Sequence, residues 1–146
     1  MTTLITDKDY YNLMKDIDTA TLENTLVKEL TDRKLKISSA ESCTGGMISQ
    51  RITNVSGASN VFELGVCSYA NRIKNKVLGV SNETLDTVGA VSEETATQMC
   101  EGIKELSSSD IGVSTTGIAG PTGGTDKKPV GLVFIGIATK ESTTKF

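Results

Sequence analysis

Ala40-Glu41-Ser42-Cys43-Thr44-Gly45-Gly46 follows a short apolar run, Leu35 to Ile37, and precedes a run, Met47 to Val55, with apolar residues at helical spacing. A strand that gives way to small polar residues and glycine, and then to a helix, is how a chain builds a βα turn. Glycine lets the backbone come close to a ligand, and the first N–H groups of a helix have no partner within it. The stretch therefore predicts an α/β domain with an anion-binding turn at the carboxyl end of its first strand. It is not a Walker loop, because G-x-x-x-x-G-K-[ST] is absent. It is not a dinucleotide fingerprint either, because G-x-G-x-x-G is absent.

Working outward, Leu22, Leu26, Val27 and Leu30 recur on one helical face, with Asp18 or Thr19 as its cap. A short helix is expected over 7–17. Strands are expected at 35–39, 61–69, 111–116 and 130–139. Helices are expected over 47–55 and 71–78, from a cap at Ser81, and from a cap at Ser92 followed by Glu93 and Glu94. Ala96, Met99, Cys100, Ile103 and Leu106 make the apolar stripe of that last helix. Alternating strands and helices argue for a three-layer α/β/α sandwich with a mixed, mostly parallel sheet, and the approach through Pro129 makes the last strand antiparallel.

The chain has 146 residues, 37% of them apolar and 4% aromatic, with a net charge of −3 and no histidine. That length suits one domain with one core. Without histidine there is no Ser-His-Asp or Cys-His catalysis and no histidine-bound metal. Acid–base chemistry falls to Lys, Tyr, Cys, Asp or Glu. The acidic balance without a basic block does not suggest a nucleic-acid partner. Cys43, Cys67 and Cys100 form an odd set without a C-x-x-C pair, as expected of reduced thiols in a cytosol, and Cys67 and Cys100 fall on predicted core faces. No run approaches the length of a membrane span, and the first residues lack the layout of a signal peptide.

A second glycine-rich loop, Gly117 to Gly124, also follows a predicted strand. Loops at the carboxyl ends of α/β strands are where ligands usually bind, so two of them suggest a shared pocket. Ser59, Tyr69 and Lys74 offer chemistry nearby. A lysine whose pKa is depressed by burial can activate a serine hydroxyl, and a tyrosine can relay the proton or hold the lysine. Cys43 is a rival nucleophile, since a thiol at a helix N-terminus can ionise near neutrality. Read alone, Lys74 is an ordinary surface lysine, Tyr69 a core residue with a wet tip, and Cys43 a small residue in a turn.

Taken together, these residues resemble the carboxy-terminal domain of the competence/damage-inducible CinA proteins. The matching stretches are Ala-Glu-Ser-Cys-Thr-Gly-Gly (40–46), Ser-Tyr-Ala-Asn-Arg-Ile-Lys (68–74), Gly-Ala-Val-Ser-Glu-Glu (89–94), Thr-Gly-Ile-Ala-Gly-Pro-Thr-Gly-Gly (116–124) and Lys-Pro-Val-Gly-Leu-Val (128–133). The resemblance implies an oligomer, a dimer or larger, of three-layer α/β/α domains. Stand-alone members are nicotinamide mononucleotide deamidases, so it implies hydrolysis of that carboxamide to nicotinate mononucleotide and ammonia, in the cytoplasm and without cofactor or metal. It aligns Ser59, Tyr69 and Lys74 with the family's catalytic residues. Ser42, Cys43, Thr44, Gly45 and Gly46 then line a substrate pocket together with Thr116, Gly117, Ile118, Ala119 and Gly120. It divides the chain into an extension, 1–18, and a domain, 19–146, in which the family's terminal strand, Gly-Asp-Arg-like segment and helix have no counterpart. A nucleotide-binding or interaction domain without turnover is the alternative. An oxidoreductase carries little weight, because Tyr-x-x-x-x-Lys is not the Tyr-x-x-x-Lys of short-chain dehydrogenases.

Overall fold

The structure is a computed structural model that describes residues 21–145. The helix expected over 7–17 and its neighbouring cap residues lie outside the described residues. In chain order the elements are α1 (Leu22–Arg33), β1 (Ile37–Glu41), α2 (Met47–Thr53), a 3-10 turn (Ala58–Asn60), β2 (Phe62–Cys67), α3 (Asn71–Leu78), α4 (Asn82–Thr87), α5 (Glu93–Ser107), β3 (Ile111–Gly117), β4 (Val133–Ala138) and β5 (Thr143–Lys145). The strands form one sheet in the order β2-β1-β3-β4-β5. β1 pairs in parallel with β2 and β3, while β4 runs antiparallel to both its neighbours. The mixed sheet and the reversed fourth strand match the sequence expectation. β5, with the sequence Thr-Thr-Lys, has no apolar alternation and is not predicted by pattern.

The sheet separates two cores. Val27 and Leu30 of α1 and Ile52 of α2 pack on Ile37. Leu78 of α3 and Met99 and Ile103 of α5 pack on Ala40. Ile37 and Ala40 are three apart on β1, so the pleat turns them to opposite faces. In β2 simple alternation would put Phe62, Leu64 and Val66 together. The register slips between Ile37 and Ser38, whose partners are Phe62 and Leu64, leaving Glu63 as an extra residue. This bulge turns Phe62 to the α1 side while Leu64 and Val66 face α5.

The helix starts follow the sequence. Ser81 Oγ accepts from the Thr84 N–H at 3.0 Å, and Ser92 Oγ accepts from the Thr95 N–H at 3.2 Å. α5 lies very close to its neighbours because glycines stand at its contacts, one on the sheet beneath it and one on the helix itself. A Cβ on Gly136 would come within 2.6 Å of the Ala96 carbonyl oxygen, and one on Gly102 within 1.9 Å of the Leu78 carbonyl oxygen. The Gly102 contact seats α5 on the end of α3, the helix that carries Lys74. Gly102→Ala should therefore separate two helix backbones, at a cost of about 1–3 kcal/mol, the usual range for overpacking. Chemical denaturation checks this. An unchanged midpoint would mean that α3 and α5 are not held at this distance.

Candidate functional site

The carboxyl ends of β1 and β3 and the chain leaving β2 enclose a cleft of about 350 Å³, with Ser42 and Cys43 on one side and the loop from Thr116 to Gly123 on another. At its base is Lys74, which α3 carries inward until the residue is only 1% exposed. Its Nζ lies 2.6 Å from the Ser68 carbonyl oxygen, 3.3 Å from the Tyr69 carbonyl oxygen and 2.9 Å from Ser42 Oγ. Burial pulls its pKa below the usual lysine value, against the opposing effect of the Cys43 thiol.

This arrangement suits a neutral amine. Carbonyl oxygens only accept, so the two N–H groups of a neutral lysine go to Ser68 and Tyr69. The remaining lone pair then faces Ser42, whose hydroxyl can donate to it. A protonated Lys74 would instead donate its third N–H to Ser42 Oγ. Lys74 and Ser42 are thus joined in either state, and the neutral state presents a base to a hydroxyl.

The turn that carries Ser42 is held by a carboxylate within the protein. Glu41 is fully buried. Its Oε2 accepts from Thr44 Oγ1 at 2.7 Å and from the N–H groups of Gly46 and Ile48 at 3.0 Å each. Its Oε1 accepts from the N–H of Ser49 at 2.8 Å and from Ser49 Oγ at 2.7 Å. Burial by itself would raise its pKa, but the hydroxyls of Thr44 and Ser49 and the N–H groups of Ser49 and Ile48 outweigh that and hold it below the usual glutamate value. This corrects the expectation of an anion-binding turn: the anion at the start of α2 is the carboxylate of Glu41. Thr44 and Gly46 donate to it, Gly45 donates to the Ser42 carbonyl, and none of the three lines the cleft.

The other predicted residues divide as follows. Ser42, Cys43, Thr116, Gly117, Ile118, Ala119 and Gly120 line the cleft with Tyr69 and Lys74. Tyr69 holds Lys74 through its carbonyl, and the residue is 82% exposed, so the phenol is not the group that holds the amine. Ser59 is not brought to the cleft within the chain. It lies on the 3-10 turn before β2, in a separate recess with Thr53, Val55 and Phe62. Lys74 follows β2, whose six residues span about 20 Å. In a strand parallel to β1, residues before and after it stand at opposite ends of the sheet.

Cys43 borders the cleft, but burial pushes its thiol up, against the pull of neighbouring backbone N–H groups and the Lys74 charge. It is therefore a poorer nucleophile than its position at a helix start suggests. Burial, with the nearby Glu101 charge, raises Cys100 to about 12, as suits a core thiol. Cys67 is exposed and does not belong to the core. Asn71, Ala90, Val91, Thr122 and Gly123 also line the cleft. Sequence reasoning did not assign these five to the site, although all of them lie within the matching stretches noted above, which is the signal that could have found them. Among the described residues no three His, Cys, Asp or Glu side chains converge where an ion would sit.

Fold and site together define a three-layer α/β domain in which a buried lysine meets a half-buried serine in a cleft at the carboxyl ends of the strands. The chain belongs to the CinA C-terminal domain family, whose model matches residues 19–146. A relative from Caldicellulosiruptor saccharolyticus named as a competence-damage inducible protein is 58% identical over 130 residues, covering 89% of this chain and 32% of that one. A CinA-like protein from Kosmotoga olearia is 53% identical over 122 residues, covering 84% of this chain and 30% of that one. The chain thus spans about a third of the length of these curated relatives. Among solved structures, the competence/damage inducible protein CihA from Agrobacterium tumefaciens superposes with a TM-score of 0.84 at 41% identity, covering 86% of this chain and 76% of that chain. A CinA superfamily protein from Escherichia coli gives 0.83 at 32% identity, covering 89% and 77%. No helix among the described residues is long and apolar enough to cross a membrane.

Proposed function

We propose that the cleft is the active site of a nucleotide amidohydrolase that converts nicotinamide mononucleotide to nicotinate mononucleotide and ammonia, with Ser42 as nucleophile and Lys74 as general base. The observation that carries this reading is the buried Lys74 amine 2.9 Å from the Ser42 hydroxyl. The resemblance to stand-alone CinA-type deamidases supports the choice of substrate.

In the reaction, neutral Lys74 takes the Ser42 proton as Oγ attacks the carboxamide carbon. The tetrahedral intermediate collapses when the Lys74 ammonium returns that proton to the amide nitrogen, and ammonia leaves. Water, deprotonated by the same amine, then attacks the ester carbon. Ser42 leaves with a proton from Lys74, which regenerates both groups. Backbone N–H groups of the loops around the cleft stabilise the oxyanion. Glu41 takes no part in proton transfer. It fixes the turn from which Ser42 projects.

Ammonia release from nicotinamide mononucleotide tests this, with Lys74→Ala as the paired control. The variant should lose about 10²-fold or more, the usual scale for a general base. The pH profile tests the same group. Only the neutral amine accepts a proton, so kcat/KM should fall as pH drops through the Lys74 pKa. Burial sets that limb below the ordinary lysine value. The limb should vanish in Lys74→Ala. A full rate in that variant, or the same acid limb with and without Lys74, would remove Lys74 from the mechanism.

A further inference from the structure

The connection between β3 and β4 is long, and its glycine-rich first half forms one wall of the cleft. It is closed at its base, where the Ile118 N–H donates to the Leu132 carbonyl at 2.9 Å and the Gly131 N–H to the Ile118 carbonyl at 2.8 Å. At its tip the Thr125 N–H donates to the Lys128 carbonyl at 2.8 Å, and the Lys128 N–H returns to Thr125 Oγ1 at 3.0 Å. Between these points the loop wraps around Val130. A Cβ on Gly120 would come within 2.4 Å of Val130 Cγ1, and one on Gly124 within 2.7 Å of the Val130 nitrogen. Among the described residues, no hydrogen bond joins residues 119–124 to any other segment.

The facing wall is the turn after α4, Val88 to Val91. All four of its carbonyls are held by side chains. The Gly89 carbonyl accepts from Ser92 Oγ at 2.9 Å and Thr95 Oγ1 at 2.8 Å, and the Ala90 carbonyl from Thr116 Oγ1 at 2.5 Å. The two outer carbonyls accept from one amine: Lys128 Nζ lies 2.8 Å from Val88 O and 2.7 Å from Val91 O. Lys128 therefore reaches from the tip of one wall to the other and brackets Ala90, which faces the ligand space.

We propose that Lys128 is a positioning residue, a latch that ties the glycine-rich loop to the Val88–Val91 turn and so fixes the width of the cleft. Charge-assisted hydrogen bonds to two carbonyls are stronger than neutral ones. They act at the tip of the loop, where a small displacement widens the whole wall. The lysine touches neither Ser42 nor Lys74, so its effect is on how substrate is held. The kinetic part of the test rests on the amidohydrolase reading; the proteolytic part does not.

Lys128→Met and Lys128→Arg are compared with the parent under a broad-specificity protease, and the cuts are mapped by mass spectrometry. In Lys128→Met, cleavage within residues 119–127 should speed up about tenfold or more, the scale of losing a charged hydrogen bond. Cleavage elsewhere should be unchanged, and Lys128→Arg should restore most of the protection. In the same variant KM for nicotinamide mononucleotide should rise about tenfold with kcat within about threefold, since the latch positions the wall and not the reacting groups. Unchanged cleavage of the loop overturns the latch. So does cleavage that rises across the whole chain, or an opened loop with an unaltered KM. A parent that releases no ammonia would end the amidohydrolase reading, and the proteolysis would still decide whether the latch exists.

Discussion

Ser42→Ala will lower ammonia release from nicotinamide mononucleotide by at least about 10³-fold, while Ser59→Ala will leave the rate within about threefold of the parent. The contrast follows from which hydroxyl the lysine can reach. Lys74 Nζ is 2.9 Å from Ser42 Oγ. Ser59 is exposed and stands before β2, at the opposite end of the sheet from the cleft. The Ser42→Ala/Lys74→Ala double variant should be little worse than Ser42→Ala alone. A base with no hydroxyl to activate has lost its function, so the two losses do not add. Initial-rate measurements on the three single variants and the double variant are enough. If Ser59→Ala cost as much as Ser42→Ala, the nucleophile would have to come from outside this chain's own cleft.

The same contrast shows where sequence ran out. The order strand, polar turn, helix around Glu41–Gly46 was legible, as were the caps at Ser81 and Ser92, because each is a local pattern with a local cause. Lys74 was legible as a candidate base through its stretch, and both glycine-rich loops fell at the carboxyl ends of strands. What depended on three-dimensional facing was not legible. Ser59 and Lys74 are separated by one strand in sequence, and that strand carries them to opposite ends of the sheet. Glu41 reads as an ordinary polar residue, and nothing in its neighbours announces that both its oxygens turn inward. The apolar alternation of β2 is broken by the bulge at Glu63, which a period-two reading does not see. Tyr69 was expected to hold the lysine or relay its proton through the ring, and the contact that holds the lysine is made by its carbonyl. A main-chain acceptor can come from any residue type, so the sequence carries no signal for it.

Glu41 supports the second large prediction, on stability. Glu41→Ala would leave three backbone N–H groups, those of the half-buried Gly46, Ile48 and Ser49, without their acceptor. The hydroxyls of Thr44 and Ser49 can rotate to other partners, but main-chain N–H groups cannot. Each N–H left without a partner costs about 1–3 kcal/mol, so the loss should reach about 3–5 kcal/mol, a large part of the 5–15 kcal/mol typical of a whole domain. Glu41→Gln keeps the shape and one acceptor but turns an NH2 toward donors, so it should cost about 2–3 kcal/mol. The pH dependence has a fixed sign. The folded pKa of Glu41 lies below its unfolded value, so the unfolded chain takes up this proton first as pH falls. Its contribution is complete above the unfolded pKa of about 4.3 and is lost as pH drops from there through the lower folded pKa. Urea unfolding at pH 7 and at steps below pH 5 should show the parent converging on Glu41→Gln as the medium becomes more acid. Equal stabilities of parent and Glu41→Gln at pH 7 would mean that the carboxylate does not hold the turn. A stable Glu41→Gln with a tenfold lower rate of ammonia release would place its main effect on the position of Ser42, which projects from the residue next to it.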